Sequence, residues 1–343
     1  MHPSVALAAA LLLGCTGSPG ASAPDELVYV TNEEDGTVTV LSATSLAPLG
    51  TIPVGARPRG VRASADGRTV YVAVSGSPRC PPSLPDADCD RLPVDKTKDG
   101  IAVIDAATRR VTRVLPGGSD PEQFDLSRDG TRLYVSNEDA DAASMVDLAS
   151  GTVLATAAVG PEPEGVRVSP DGRTVLVTSE SSHDVALLDA PTARVLARIP
   201  VGLRPRDAVF HPNGALAYVS GERDTAVTVL DLAARRVVAR LKLPDTARPM
   251  GLALTADGAT LYVSNGRAGT VSRVDLATGT VTGTVTAGTR PWGIGLSADQ
   301  SRLFTANGPS NDVSVIDTRT FHVIATLSAG GGPWGIALAP AVR

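Results

Sequence analysis

Tyr29-Val30-Thr31-Asn32 opens a pattern that the chain writes seven times. It returns as Tyr71-Val72, Tyr134-Val135-Ser136-Asn137, Leu176-Val177-Thr178, Tyr218-Val219-Ser220, Tyr262-Val263-Ser264-Asn265 and Phe304-Thr305-Ala306-Asn307. The steps from Tyr29 to Tyr71, Tyr134 to Leu176, Leu176 to Tyr218 and Tyr262 to Phe304 are each 42 residues. Between returns stand an acidic loop, a Val-x-Val-Leu/Ile-Asp segment, an Arg-Pro-x-Gly segment and a Ser-x-Asp-Gly turn. Four short alternating segments at this period belong to propeller blades rather than to helical arrays. The expected fold is all-β, a seven-bladed β-propeller of four-stranded antiparallel blades.

One unit shows the order. Pro163 to Ser169 reads as strand A, Thr174 to Ser179 as B, Asp184 to Asp189 as C and Arg194 to Val201 as D, with Ser169-Pro170-Asp171-Gly172 as a tight turn. The chain begins on a strand B at Leu27 and ends on a strand A from Pro333 to Ala339. That last strand is expected to join the first three and close the ring, leaving no open edge around it. The A-to-B and C-to-D turns are short and alike, whereas the D-to-A and B-to-C loops vary. Function is therefore assigned to the face that carries the variable loops.

The domain reading has three parts. Residues 1–15 form a lipoprotein signal whose Leu12-Leu13-Gly14-Cys15 is a lipobox, making Cys15 the lipidation site. Residues 16–26 are a flexible tether, and residues 27–343 are the propeller. Between strands B and C of one unit lies a Pro- and Asp-rich insertion, residues 76–98, in which Cys80 and Cys89 are expected to form a disulfide in an exported protein. The expected location is the bacterial cell envelope, periplasm-facing or outer-membrane, held to the membrane by lipid alone. A formal net charge of −5 carries no basic footprint and sets nucleic acid aside.

The sevenfold Tyr-Val-Thr/Ser-Asn with Val-Ile/Leu-Asp and Ser-Pro-Asp-Gly resembles the YVTN class of surface propellers, over everything from Leu27 onward. Two stretches are similar to propellers associated with pyrroloquinoline-quinone-dependent alcohol catabolism: Tyr134 to Asp139 with Pro163-Glu164-Gly165-Val166 and Ser179-Glu180, and Asn307 to Asp317 with Gly332-Pro333-Trp334-Gly335. The resemblance implies the company of periplasmic dehydrogenases and a transporter. It implies no reaction and no cofactor contact.

Aligned on their prolines, the strand A starts define a ring at the channel mouth. Arg57, Asp120, Glu162, Arg204, Arg248, Arg290 and Gly332 precede the proline; Arg59, Glu122, Glu164, Arg206, Met250, Trp292 and Trp334 follow it. The ring residues expected to bind a ligand or partner are Arg57, Arg59, Glu122, Glu164, Arg204, Arg206, Arg248, Arg290, Trp292 and Trp334. Arginine beside indole suits a planar or anionic ligand; the alternative is arginine paired with acids between blades and tryptophan sealing the channel. Deeper in strand A, Arg62, Asp125 and Arg167 read as a salt-bridge ladder between blades. His183, His211 and His322 lie apart, so no multi-histidine metal site is expected. His183 with Glu180 and Asp184 reads as a solvated polar loop, the alternative being a small surface acid/base or metal group; the loop acids Glu33, Glu34, Asp35, Glu138, Asp139 and Asp141 read as residues that keep the rim soluble, the alternative being weak calcium binding.

No catalytic residue, metal or cofactor is assigned. The leading expectation is a non-catalytic, monomeric binding or scaffold propeller of the envelope, accessory to periplasmic alcohol or quinoprotein catabolism. Its partner would be an envelope protein or a small anionic or planar ligand. The alternatives are a lactonase-like hydrolase centred on Arg59, Glu122, Glu164 and Arg206, and a carrier of a quinone or other small ligand.

Overall fold

The computed structural model describes residues 25–79 and 92–342. Cys15, Cys80 and Cys89 lie outside the described residues. The strands form seven four-stranded sheets, each antiparallel throughout. Blade 1 pairs Pro333–Pro340 with Glu26–Asn32, Thr37–Ser42 and Pro48–Pro53. The closing register runs from Glu26 opposite Pro340 to Val30 opposite Ile336, so the expected closure is present. Strands A of blades 2 to 7 start at Val61, Pro121, Pro163, Pro205, Pro249 and Pro291. In blade 4 the four strands are Pro163–Val168, Thr174–Ser179, Asp184–Asp189 and Val195–Pro200.

Burial explains the strand compositions. Strand B is covered on both faces, as in Thr69–Val74 and Thr174–Ser179, so its centre is a run of adjacent apolar residues rather than an alternation, and in Thr174–Ser179 buried hydroxyl residues follow it. Strand D is the outer edge and alternates between half-buried and exposed positions, as in Thr280–Thr286. The apolar side chains gather into seven clusters, each between two neighbouring blades. One of these joins Phe304, Val313 and Val315 of blade 7 to Val28, Leu41 and Ile336 of blade 1, so burial as well as hydrogen bonding seals the ring.

The repeated motif residues have separate tasks. The motif tyrosine reaches into the next blade, as where Tyr134 Oη donates to the Ala190 carbonyl at 2.7 Å. The motif asparagine ties strand B to strand C: Asn32, Asn137, Asn265 and Asn307 donate to Thr39, Ser144, Ser272 and Ser314 at 2.8–2.9 Å. The aspartate ending strand C accepts a backbone N–H three residues on, as Asp147 does from Ser150 at 2.7 Å, and so shapes the turn to strand D.

The motif Ser/Thr sets up the channel mouth. Its hydroxyl donates to a strand A carbonyl of the next blade at five places: Thr31 to Arg59, Ser136 to Glu164, Thr178 to Arg206, Ser220 to Met250 and Ser264 to Trp292, at 2.5–3.3 Å. Each accepting residue follows the strand A proline, so the motif pegs the backbone of the residues that line the mouth. The glycine of Pro-x-Gly is required by the same closeness. A Cβ on Gly60, Gly165, Gly251, Gly293 or Gly335 would stand 2.5–2.7 Å from the corresponding carbonyl of the next blade. For Gly293 the contacts are all backbone, namely Trp334 O at 2.6 Å, Ile336 N at 3.0 Å and Gly335 Cα at 3.1 Å. Gly293→Ala is expected to destabilise the ring by about 1–3 kcal/mol through overpacking, read from the midpoint of urea unfolding.

Candidate functional site at the channel mouth

The D-to-A and B-to-C loops meet on one face, as the sequence indicates, and surround a cavity of about 300 Å³. Arg57, Arg59, Glu122, Glu164, Arg204, Arg206, Arg290, Trp292 and Trp334 all line it. Arg248 is not among the lining residues; its guanidinium bonds to the carbonyl of Ala247 at 2.9 Å. The residue before the strand A proline is left-handed at Arg57, Asp120, Glu162, Arg204, Arg290 and Gly332, with φ between 45° and 63°. The repeat thus uses an uncommon backbone shape to bend the chain into each strand A, and a non-glycine residue bears it at five of these six places.

Two sets of charged groups face each other across the blades. In the first, Glu33 Oε1 accepts from Arg57 at 3.1 Å and Arg59 at 2.9 Å. Arg57 also pairs with Asp120 at 3.1 Å, and Arg59 with Glu122 and, at 3.3 Å, with Glu138. In the second, Arg206 pairs with Glu164, with Glu180 at 2.5 Å and with Glu222 at 2.8 Å, while Arg204 pairs with Glu180 and, at 3.5 Å, with Glu222. The tryptophans lie between the sets. Trp292 and Trp334 stack with centroids 5.8 Å apart and planes 24° apart. Arg59 lies over Trp334 at 5.9 Å; Arg206 and Arg290 lie over Trp292 at 5.6 and 4.7 Å.

Glu164 is the chemically distinctive group. Burial pushes its carboxyl well above the ordinary value of 4.5, Arg206 pulls it back, and the neighbouring Glu180 and Glu138 push it up again. Charge balance gives the same direction: Arg204 and Arg206 neutralise Glu180 and Glu222, so a third carboxylate in the set would be unmatched. Glu164 therefore keeps its proton into the pH range where ordinary carboxyls have lost theirs. Arg206 engages its partners through Nε and Nη1, and its Nη2 makes no hydrogen bond among the described residues.

Glu33, Glu138, Glu180 and Glu222 are the residues that the sequence reading missed. As letters the first three belong with the solvated rim and Glu222 has no distinguishing mark, yet all four pair with the ring arginines. Each directly follows a strand B motif, whereas blades 6 and 7 carry Gly266 and Gly308 there. That register is the signal that could have found them. The surface group of His183, Glu180 and Asp184 is dispersed, since Asp184 pairs with Arg198 at 2.8 Å and His183 Nδ1 contacts the Glu180 carbonyl at 2.8 Å. Among the described residues no cluster of His, Cys, Asp and Glu has the form of a metal site.

Below the mouth, Glu164, Arg206, Trp292 and Trp334 also border a chamber of about 50 Å³ lined by Arg62, Arg167 and Asp207. The expected ladder is partly formed. Arg62 approaches Asp125 at 3.7 Å, but Arg167 pairs at 2.8 Å with Asp207, which occupies a glycine position of the Pro-x-Gly repeat. Asp125 instead accepts the backbone N–H of Val168 at 2.8 Å. Burial pushes the Asp207 carboxyl up to about 6, with Arg62 and the N–H groups of Leu252 and Ala208 holding it back.

Comparison with solved structures confirms the architecture. The chain is similar to hydrazine synthase of Kuenenia stuttgartiensis, with a TM-score of 0.73 and 20% identity, covering 90% of this chain and 99% of that one. It is similar to a candidate 6-phosphogluconolactonase of Bacteroides uniformis, with a TM-score of 0.75 and 17% identity, covering 92% and 99%. It also resembles one from Bacteroides fragilis, at 0.72 and 17%, covering 94% and 99%. At these identities the likeness is one of fold. Comparison with curated proteins gives no match. The family model described as "Lactonase, 7-bladed beta-propeller" matches residues 21–169 and 190–320, most of the propeller, and the chain belongs to that family.

Proposed function

We propose that the channel mouth hydrolyses a lactone, the reading held above as an alternative to a non-catalytic propeller. The observation that carries it is Glu164: a buried carboxyl that keeps its proton, on a cavity wall beside a guanidinium with a free edge. Opening a cyclic ester needs a nucleophilic water, a donor for the carbonyl oxygen as it gains charge, and a proton for the departing ring oxygen. Arg206 Nη2 supplies the donor. Glu164 supplies the proton when the bond between the carbonyl carbon and the ring oxygen breaks. Glu122 Oε2, which has no hydrogen-bond partner among the described residues, accepts the proton that water gives up as it adds to the carbonyl carbon. Lactone and water are consumed and a hydroxy acid is formed; Glu122 then returns its proton to solvent and Glu164 regains one, which restores the starting state.

The test is proton release on a panel of five- and six-membered lactones with the purified protein. Ring opening that is lost in Glu164→Gln supports the reading; no acceleration over buffer on any member overturns it. The latter result returns the weight to recognition in the cell envelope, which the motif resemblance and the lipobox at Cys15 support. Under that reading the balanced, interlocked charges would form a firm docking face.

A further inference from the structure

The mouth is electrically lopsided. Blades 1, 3, 4 and 5 place Glu33, Glu138, Glu180 and Glu222 after the strand B motif, and these neutralise the arginines of their side. Blades 6 and 7 have Gly266 and Gly308 in that register, and their arginines remain. Arg267 and Arg290 have no carboxylate partner within salt-bridge distance among the described residues, and both line an open groove of about 660 Å³ between these blades; Glu222 also borders this groove, but its carboxylate is engaged by Arg204 and Arg206. Thr286, Thr289 and Ser310 add hydroxyls to the same groove. Arg248, also without a carboxylate partner among the described residues, stands at the strand A start of blade 6. Burial and the neighbouring Arg206, Arg79 and Arg204 all disfavour charge on Arg290, and only Glu222 opposes them. An anion arriving beside Arg290 would relieve that repulsion.

We propose that the groove between blades 6 and 7 is an oxoanion subsite, taking a carboxylate or a phosphate group of an organic ligand. Arginine forks match either group, and the hydroxyls complete its hydrogen bonding. The groove adjoins the mouth through Arg290, which lies over the indole that Arg206 also faces. On the hydrolase reading the subsite holds the acidic arm of the substrate, with the lactone ring near Glu164 and Arg206. The anion site itself rests on the unmatched arginines and stands whether or not the protein turns lactones over.

The repeat supplies a test variant. A Cβ on Gly308 would meet only ordinary contacts, 3.5 Å to the Trp292 ring and 3.6 Å to the Pro333 carbonyl, and Gly308 is not left-handed. Gly308→Glu therefore installs the acid that four other blades already carry, on the cavity wall that Arg290 shares. Binding of inorganic phosphate and of succinate to the full protein is measured by calorimetry at low salt. The wild type is expected to bind at least one of them. Gly308→Glu and Arg290→Gln are each expected to weaken that binding by about 10-fold or more, and added salt should weaken it in the wild type. Preference between the two probes identifies the group. No binding of either by the wild type, or equal binding by wild type and both variants, overturns the subsite. Wild-type binding of either probe without turnover of any lactone overturns the hydrolase reading alone, whereas lactone turnover without binding of either probe overturns the subsite alone.

Discussion

Glu164→Gln is expected to remove lactone turnover by about 10²–10⁴-fold while leaving the fold intact, because glutamine fills the same space but has no acidic proton to give to the ring oxygen. The measurement is kcat and KM on the best lactone of the panel, beside a urea unfolding curve. The pH dependence carries a sign. Glu164 acts in its protonated form, so kcat should fall as pH rises through its elevated pKa, which lies well above 4.5. The residual activity of the variant should lack that limb. Stability follows the same proton. A carboxyl that titrates higher folded than unfolded contributes stability that is fully present below about pH 4.5 and is lost as pH rises through the folded value. The stability advantage of wild type over Glu164→Gln should therefore shrink with rising pH and reverse once Glu164 ionises. A kcat profile identical in the two proteins would remove Glu164 from the chemistry.

Deleting Pro333–Pro340 is expected to unfold the whole ring rather than one blade. The strand supplies the innermost pairing of blade 1, from Glu26 opposite Pro340 to Val30 opposite Ile336. It brings Ile336 into the blade 7–blade 1 cluster, and Ala337 and Ala339 into the blade 1–blade 2 cluster. It also carries Trp334, half of the stacked pair. A closed ring has no spare end at which such a loss can be confined. The stability lost should match the whole of the ~5–15 kcal/mol typical of a domain. The check is circular dichroism and hydrogen exchange on the truncated chain. Protected amides persisting in blades 3 to 5 would show that the ring is not one cooperative unit.

The period of the Tyr-Val-Ser/Thr-Asn motif, the turn residues and the order of alternating segments sufficed for seven blades, their strand order and the closure. They sufficed because a blade is built from contacts close in sequence, and each blade buries its face on the next. The ring residues aligned on the prolines were legible for the same reason: one register places one residue type at one depth of the channel. Their pairing was not legible. Glu33 meets Arg57 and Arg59 from a B-to-C loop of the preceding blade, and Glu180 meets Arg204 and Arg206 in the same way. Which acid turns inward depends on the angle between blades, and neighbouring acids in a loop such as Glu33 and Glu34 look alike as letters.

The departure of Asp207 from a glycine position was visible in the sequence, but its meaning required Arg167 across the chamber. The proton on Glu164 is likewise a tertiary property. An isolated glutamate ionises near its ordinary value, and only burial beside Glu180, with too few cations to serve every carboxylate, holds the proton in place. Sequence by itself determined the frame and the depth of each ring residue, because both repeat locally; tertiary structure decided charge and chemistry, because these depend on groups from different blades sharing one largely buried space.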